Sequence, residues 1–355
     1  MVQSPEDSID NFPLPGTLAT IEKFGSGLIN DTYLCTFREG DGVRKYVLQR
    51  INGLVFKSPG DVMKNVEVVT KHIADRLRAE GVVDPYAVTP ALFHTVRGQS
   101  HFRDGNGDCW RVFHFIEDGI VFDRVKDVHH AYEVGRGLGR FQSLVADLSP
   151  SRLLDTLPGF HHSPRYLTEY DEAVRGDAQD RVAGVEAERD FISRRRSLAP
   201  MLTEPMAAGQ LPLRVVHNDP KVNNVMVHKL TGEALCMLDL DTVKPGIVHF
   251  DFGDCVRSVA NPAGEDGDLD QIAFDLPLYR SVLRGYLSEA SSFLTPQEID
   301  LLPLSVRVIT FELGLRFLAD YLRGDTYFRI RYPSHNLHRA RVQFKLLFDI
   351  EAASL

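Results

Sequence analysis

Residues 214–227 read RVVHNDPKVNNVMV, two short apolar runs around a polar centre. Arg214-Val215-Val216 and Val225-Met226-Val227 have the composition of strands that enter and leave a core. Between them lie His217, Asp219, Lys221, Asn223 and Asn224, all within eight positions. Burying so many polar groups unpaired is costly, whereas a loop supported by strands can present them to a cleft. The fold must therefore build a cleft around this loop.

The flanks say what surrounds it. The first third is strand-rich: TLATIEKFGSGLINDTYLCTF reads as two strands around a Gly-rich turn, and KYVLQRI as a third. Residues 60–79 place Val62, Val66, Val69, Ile73 and Leu77 at helical spacing. DGNGD marks a hairpin turn, with Trp110 beside it as a packing residue. Beyond about Glu117 the pattern turns helical, over 127–147, much of 164–200, 268–290, 296–323 and 335–352. The expected fold is α+β and bilobal. Residues 1–117 would form a β-rich lobe and 118–355 a mainly α-helical lobe, hinged at FHFIEDGI.

Within that frame His217-x-Asp219 and Asn224 spell H-x-D-x-x-x-x-N. In phosphoryl transfer such an Asp receives the acceptor hydroxyl proton and such an Asn holds a Mg²⁺ ion. Lys221 could neutralise charge developing on the transferred group, and His217 reads as a hydrogen-bonding buttress of the loop. Asp239, in LDLD, lies 15 positions after Asn224, where a returning strand would bring a second metal carboxylate. Asp251-Phe252-Gly253 spells the metal-binding DFG motif, but 27 positions after Asn224. That distance is too long for the returning hairpin, so Asp251 is expected to accept loop backbone N–H bonds instead. In the first lobe Gly25, Ser26, Gly27 and Asn30 form a candidate phosphate-covering turn. Arg50 takes the place of the phosphate-pairing lysine, with Glu67 to orient it. Phe115 and Glu117, at the hinge, complete the expected nucleotide site.

Composition narrows the partners. The net charge of −9 and the lack of a dense basic stretch argue against nucleic acid or an anionic membrane. Four scattered cysteines without CxxC spacing, and an N-terminus lacking a signal-peptide pattern, point to a reduced cytoplasm. Thirteen histidines include no HExxH, so a histidine-based metal centre is not expected.

With these motifs the chain resembles the aminoglycoside phosphotransferase/choline kinase superfamily, and more narrowly the N-acetylhexosamine 1-kinases. The narrower likeness is carried by FGSGLINDTYL, YVLQRIN, HNDPKVNNV, LDLDTVKPG, DFGDCVRSVANPAGED and RFLADYLRGDTYFRIRYPSHNLHRARVQFKLL. It implies a protein-kinase-like fold, with 1–117 as the nucleotide-binding lobe and 118–355 as the catalytic and substrate-binding lobe, and ATP-dependent phosphorylation of a free sugar at its anomeric hydroxyl, with Mg²⁺. By that match Asp219 is the base, Asn224 and Asp239 are metal ligands, and Asp241, Arg257, Arg316 and Tyr327 line the acceptor site.

Alternatives remain at this stage. Glu312, Arg316 and Asp320 at i, i+4 and i+8 would also make an ordinary salt-bridged helix stripe. A choline acceptor would require an aromatic cage, and no aromatic cluster stands out near the late loops. An aminoglycoside would require acidic groups, some of which NPAGEDGDLDQ offers. A protein kinase is disfavoured by the lack of an A-P-E segment. A non-catalytic nucleotide-binding scaffold would normally have lost the base or a metal ligand.

Overall fold

In the first third, alternating apolar residues build one antiparallel sheet. The computed structural model describes residues 4–25, 29–353 and 355. Strands β1 (Thr17–Lys23), β2 (Asp31–Glu39) and β3 (Gly42–Ile51) form a meander. β4 (Leu92–Phe93), β5 (Phe102–Arg103) and β6 (Cys109–His114) complete the sheet, in the order β1-β2-β3-β6-β4 with β5 also on β6. The expected turn at DGNGD joins β5 to β6. Side-chain alternation gives the sheet two different faces. Cys35, Phe37, Tyr46, Leu48, Trp110 and Val112 pack on one face against Ile9, in the short helix α1 (Pro5–Ile9), and Phe12. Trp110 is a packing residue, with its Nε1 donating to Asp104 Oδ2 at 3.0 Å.

The other face carries Ile51 and Cys109 into the largest core. Helix α2 (Pro59–Ala79) buries Val62, Val66, Val69, Ile73 and Leu77 there. It shares that core with α3 (Val128–Leu144), α7 (Val248–Val259) and α8 (Leu276–Ala290), so apolar packing is continuous past residue 117. Asn65 adds polar ties, donating from Nδ2 to the carbonyls of Leu154 (2.8 Å) and Val243 (3.0 Å). α3 and α8 approach closely because Gly135, Gly139 and Gly285 stand where they touch. A Cβ at any of the three would collide with a facing backbone carbonyl.

The remainder is mainly helical: α4 (Ser163–Gly176), α5 (Glu186–Ser193), α6 (Thr203–Ala207), α9 (Pro296–Asp300), α10 (Leu302–Arg323) and α11 (His335–Ala352). The helix expected over 164–200 breaks where Asp177 turns left-handed (φ 38°) and accepts the Arg181 and Val182 amides. Among the described residues no helix is long and apolar enough to cross a membrane. Two small sheets interrupt the helices. One joins β7 (Gly119–Ile120), β9 (Val225–His228) and β10 (Ala234–Met237); the other pairs β8 (Arg214–Val216) with β11 (Lys244–Gly246). The polar loop 217–224 hangs between β8 and β9, one strand in each.

Candidate active site

The loop keeps its shape through Asp251. This carboxylate, in the first turn of α7 and fully buried, accepts the backbone N–H of His217 at 2.8 Å and of Asn218 at 2.7 Å. Gln142 Nε2 donates to it as well, at 2.8 Å. Burial pushes the Asp251 carboxyl upward, against those donors and His217. The group is a scaffold, as its spacing from Asn224 implied. His217 is likewise a buttress: Nε2 donates to the Leu238 carbonyl at 2.7 Å, and Nδ1 accepts the Asp219 N–H at 3.3 Å. Thr242 Oγ1 donates to the His217 carbonyl, and Asn218, in the left-handed region at φ 66°, donates from Nδ2 to Thr242 O.

This frame turns Asp219 outward, half-buried. Its carboxylate receives Lys221 Nζ at 2.8 Å and Asn224 Nδ2 at 3.1 Å. Burial opposes the Lys221 charge, but Asp219, Asp239 and Glu265 outweigh it and raise its pKa. Asp239 is left-handed (φ 58°), and among the described residues no donor reaches its carboxylate. Asp239 is exposed to solvent on the cleft floor, although much of the protein gathers around it. That enclosure, with the charges of Asp241 and Asp219, pushes it up to about 7. An undonated carboxylate crowded by others is a site short of positive charge. With Asn224 Nδ2 committed to Asp219, its Oδ1 remains as a second hard oxygen donor. Two oxygens suit Mg²⁺, which completes its shell with water and substrate phosphates. Among the described residues no cluster of three or more His, Cys, Asp or Glu gathers around a metal position.

The first lobe corrects two expectations. Arg50 does not face the cleft. In register with Asp31 on β2 and Trp110 on β6, it lies on the opposite face, bonded to Asp31 Oδ2 at 3.0 Å and Asp108 Oδ2 at 3.2 Å. Glu67 does not orient it, pairing instead with His94 at 3.2 Å. The cleft face carries Gln49 and Arg111, neighbours in register. Arg111 forms a buried ion pair with Asp241, which also accepts Asn30 Nδ2 at 2.7 Å. Asp241 is thus buried in contacts with the first lobe rather than open to an acceptor. Asn30 is occupied too, its Oδ1 taking the Asn52 N–H at 3.0 Å. Gly25 is left-handed (φ 78°), while Ser26 and Gly27 fall outside the described residues. At the hinge Phe115 packs edge-on against Phe24, and exposed Glu117 pairs with Lys45 at 3.3 Å.

On the acceptor side, Arg257 is buried and fully engaged with Asp254 and Glu265, both at 2.8 Å, which removes it from a direct sugar contact. Arg316 differs. The expected helix stripe does not form: Glu312 accepts from Ser163 and pairs with His161, while Asp320 caps the amides of residues 326–328. Arg316 instead sits among the rings of Phe160, Tyr166, Tyr327 and Phe328, 5.0–6.0 Å from each centroid. An aromatic cluster is therefore present near the late loops, filled by the protein's own guanidinium. It lines a cavity of about 980 Å³ with Lys57, Asp155 and Tyr327. The cavity lies beside the loop and not over Asp219. Next to the lining residue Phe160, His161 reaches the loop with its Nε2 3.4 Å from the Asn218 carbonyl, and the lining residue Asp155 is bonded to Lys244 of β11 at 2.7 Å.

Residues 20–286, three quarters of the chain, match the phosphotransferase enzyme family. The chain belongs to that family. Its backbone is similar to an aminoglycoside phosphotransferase from Alicyclobacillus acidocaldarius (12% identity, 99% of this chain and 96% of the other, TM-score 0.59). It is similar also to the choline kinase of Cryptosporidium parvum (14%, 94% and 89%, 0.56) and the ethanolamine kinase of Plasmodium vivax (13%, 92% and 82%, 0.54). At these identities the likeness is one of fold, an antiparallel N-terminal sheet followed by a helical C-terminal part. What sequence reasoning missed in this phosphotransferase is Arg111, which no motif contains. Strand phase, with β6 paired to β3, was the signal that could have found it.

Proposed function

We propose that this phosphotransferase transfers the γ-phosphoryl group of ATP to the anomeric hydroxyl of a free N-acetylhexosamine, GlcNAc or GalNAc. The observation that supports this acceptor class best is Arg316 in its aromatic surround. The cavity offers ring faces for the C–H surface of a sugar and a cation without a carboxylate partner among the described residues. A choline-type acceptor would meet a cage already holding positive charge. A polycationic aminoglycoside fares no better, because the carboxylates lining the cavity are already taken: Asp61 by Lys64, Asp155 by Lys244, Glu169 by Arg165, Glu172 by Arg323 and Asp320 by the amides of residues 326–328.

In this reading the sugar lies at the loop end of the cavity, and its attacking hydroxyl extends beyond the lining to the Asp219 carboxylate, aimed by Lys221 and Asn224, which receives the proton. The anomeric hydroxyl is the most acidic on the ring because the ring oxygen withdraws charge from C1, so a weak base suffices. Asn224 and Asp239 would hold Mg²⁺, which when bound neutralises charge on the phosphate oxygens. Lys221 adds a fixed positive charge beside the transferred group. Donors that bond the acetamido group would disfavour plain glucose or galactose, which leave them unpaired.

The test is a screen of free sugars for ADP release, repeated with the methyl glycoside of the best one. Blocking C1 should stop phosphorylation. Efficient phosphorylation of the glycoside would overturn the anomeric assignment, and a preference for amino sugars without the acetyl group would overturn the acceptor.

A further inference from the structure

Kinases bring a β3 lysine to the nucleotide phosphates and orient it with a carboxylate from the adjoining helix. Here β3 presents the amide of Gln49 on the cleft face, its cation Arg50 lies on the opposite face, and Glu67 of α2 points to His94. Lys45 shares the Gln49 face but lies four residues nearer the hinge, roughly 13 Å away along a strand, paired with Glu117. We propose that Arg111, on β6, is the residue of this chain that grips the phosphates of the bound nucleotide.

Three contacts aim it. Thr32 Oγ1 accepts Gln49 Nε2 at 3.0 Å, which turns Gln49 Oε1 toward Arg111 to accept its Nε, also at 3.0 Å. Nη1 is bound by Asp241 and lies 3.7 Å from Met63 Sδ. Nη2 has no hydrogen-bond partner among the described residues, although the side chain is 1% exposed. That N–H is not sealed off from solvent, so it remains a donor that an incoming phosphate oxygen can take up. The position also suits a phosphate. Asp241, which holds Nη1, follows Asp239 by two residues in the same short turn. The cation thus stands beside the candidate metal carboxylate. Its orienting carboxylate comes from the second lobe, where other kinases draw it from the helix after β3.

The experiment compares ATP, ADP and adenosine binding by calorimetry in wild type, R111K, R111M and R111M/D241N. Loss of a charge-assisted bond to phosphate should weaken ATP and ADP about 10-fold or more in R111M. Adenosine, which lacks phosphate, should stay within about twofold. R111K should fall between R111M and wild type, and Q49K added to R111M should recover part of the ADP affinity. If bare Asp241 prevents R111M from folding, the double variant removes both charges and is read in the same way. Equal weakening of adenosine and ADP, or no weakening of either, in any folded member of the set would overturn the proposal and leave Arg111 as an inter-lobe tie. These measurements need no acceptor, so a wrong sugar assignment leaves them unaffected.

Discussion

Replacing Asp251 with alanine separates scaffold from metal ligand in one variant. The substitution strips an acceptor from three buried donors: the His217 and Asn218 amides and Gln142 Nε2. Each buried donor left unmet costs about 1–3 kcal/mol. The upper part of the sum is not reached, because the cost of burying the carboxylate disappears with it and water can enter the vacated space. A loss of about 3–4 kcal/mol is the reasonable expectation. At an unfolding entropy of about 2.1 cal/mol/K per residue, that is roughly a 4–5 °C fall in Tm for a chain of this length. Differential scanning calorimetry reads the fall, and titration of nucleotide with and without Mg²⁺ reads the site. Scaffolding predicts a lower Tm with metal-dependent binding retained at temperatures where the variant is folded. An unchanged Tm with metal-dependent binding abolished would refute the reasoning and make Asp251 the metal carboxylate.

Asp219→Asn should keep ATP–Mg²⁺ affinity while turnover falls about 10²-fold or more, the usual scale for a lost general base, measured as kcat against nucleotide Kd. Because Asp239 is raised to about 7, below that pH the metal-free enzyme holds a proton there that Mg²⁺ must displace. Mg²⁺-dependent nucleotide binding should therefore strengthen between about pH 6 and 8 with proton release, detected by calorimetry in buffers of different ionisation enthalpy, and Asp239→Asn should remove the dependence. The same raised pKa gives the metal-free fold a stabilising contribution that is present at acid pH and lost as pH rises through about 7, visible as a Tm difference without Mg²⁺ that Asp239→Asn abolishes. Gly285→Ala would drive a Cβ into the Tyr132 carbonyl across the α3–α8 contact, costing about 1–3 kcal/mol of stability with kcat per folded molecule unchanged, read by thermal denaturation and active-site titration.

Local patterns carried much of this architecture. The polar loop between two strands, the helix over α2 and the hairpin at DGNGD depend on nearest neighbours, and each can be read before folding is considered. The scaffolding role of Asp251 was legible for the same reason, since a returning hairpin has limited reach. What failed was phase. In YVLQRI the amide and the cation are adjacent, and strand alternation sends them to opposite faces. Motif matching favoured the charged residue, whereas the pairing of β3 with β2 and β6 puts Gln49 in the cleft. Arg111, Asp241 and Asn30 meet across 130 and 211 positions, so no window of sequence contains the contact. The aromatic surround of Arg316 was invisible for the same reason, because Phe160 and Tyr166 reach α10 from a distant stretch of chain.

The anchoring of α2 has a consequence for control. Signalling kinases use the corresponding helix as a throttle, swinging it inward or outward to complete or dismantle the ion pair that serves the phosphates. Here that segment is bolted into the main core by Val62, Val66 and Val69 and tied by Asn65 to the backbone carbonyls of Leu154 and Val243. Its one carboxylate facing the sheet edge, Glu67, serves a surface histidine. Moving such a helix would mean unfolding the centre of the molecule. A control that works by swinging this helix is therefore not built into the fold.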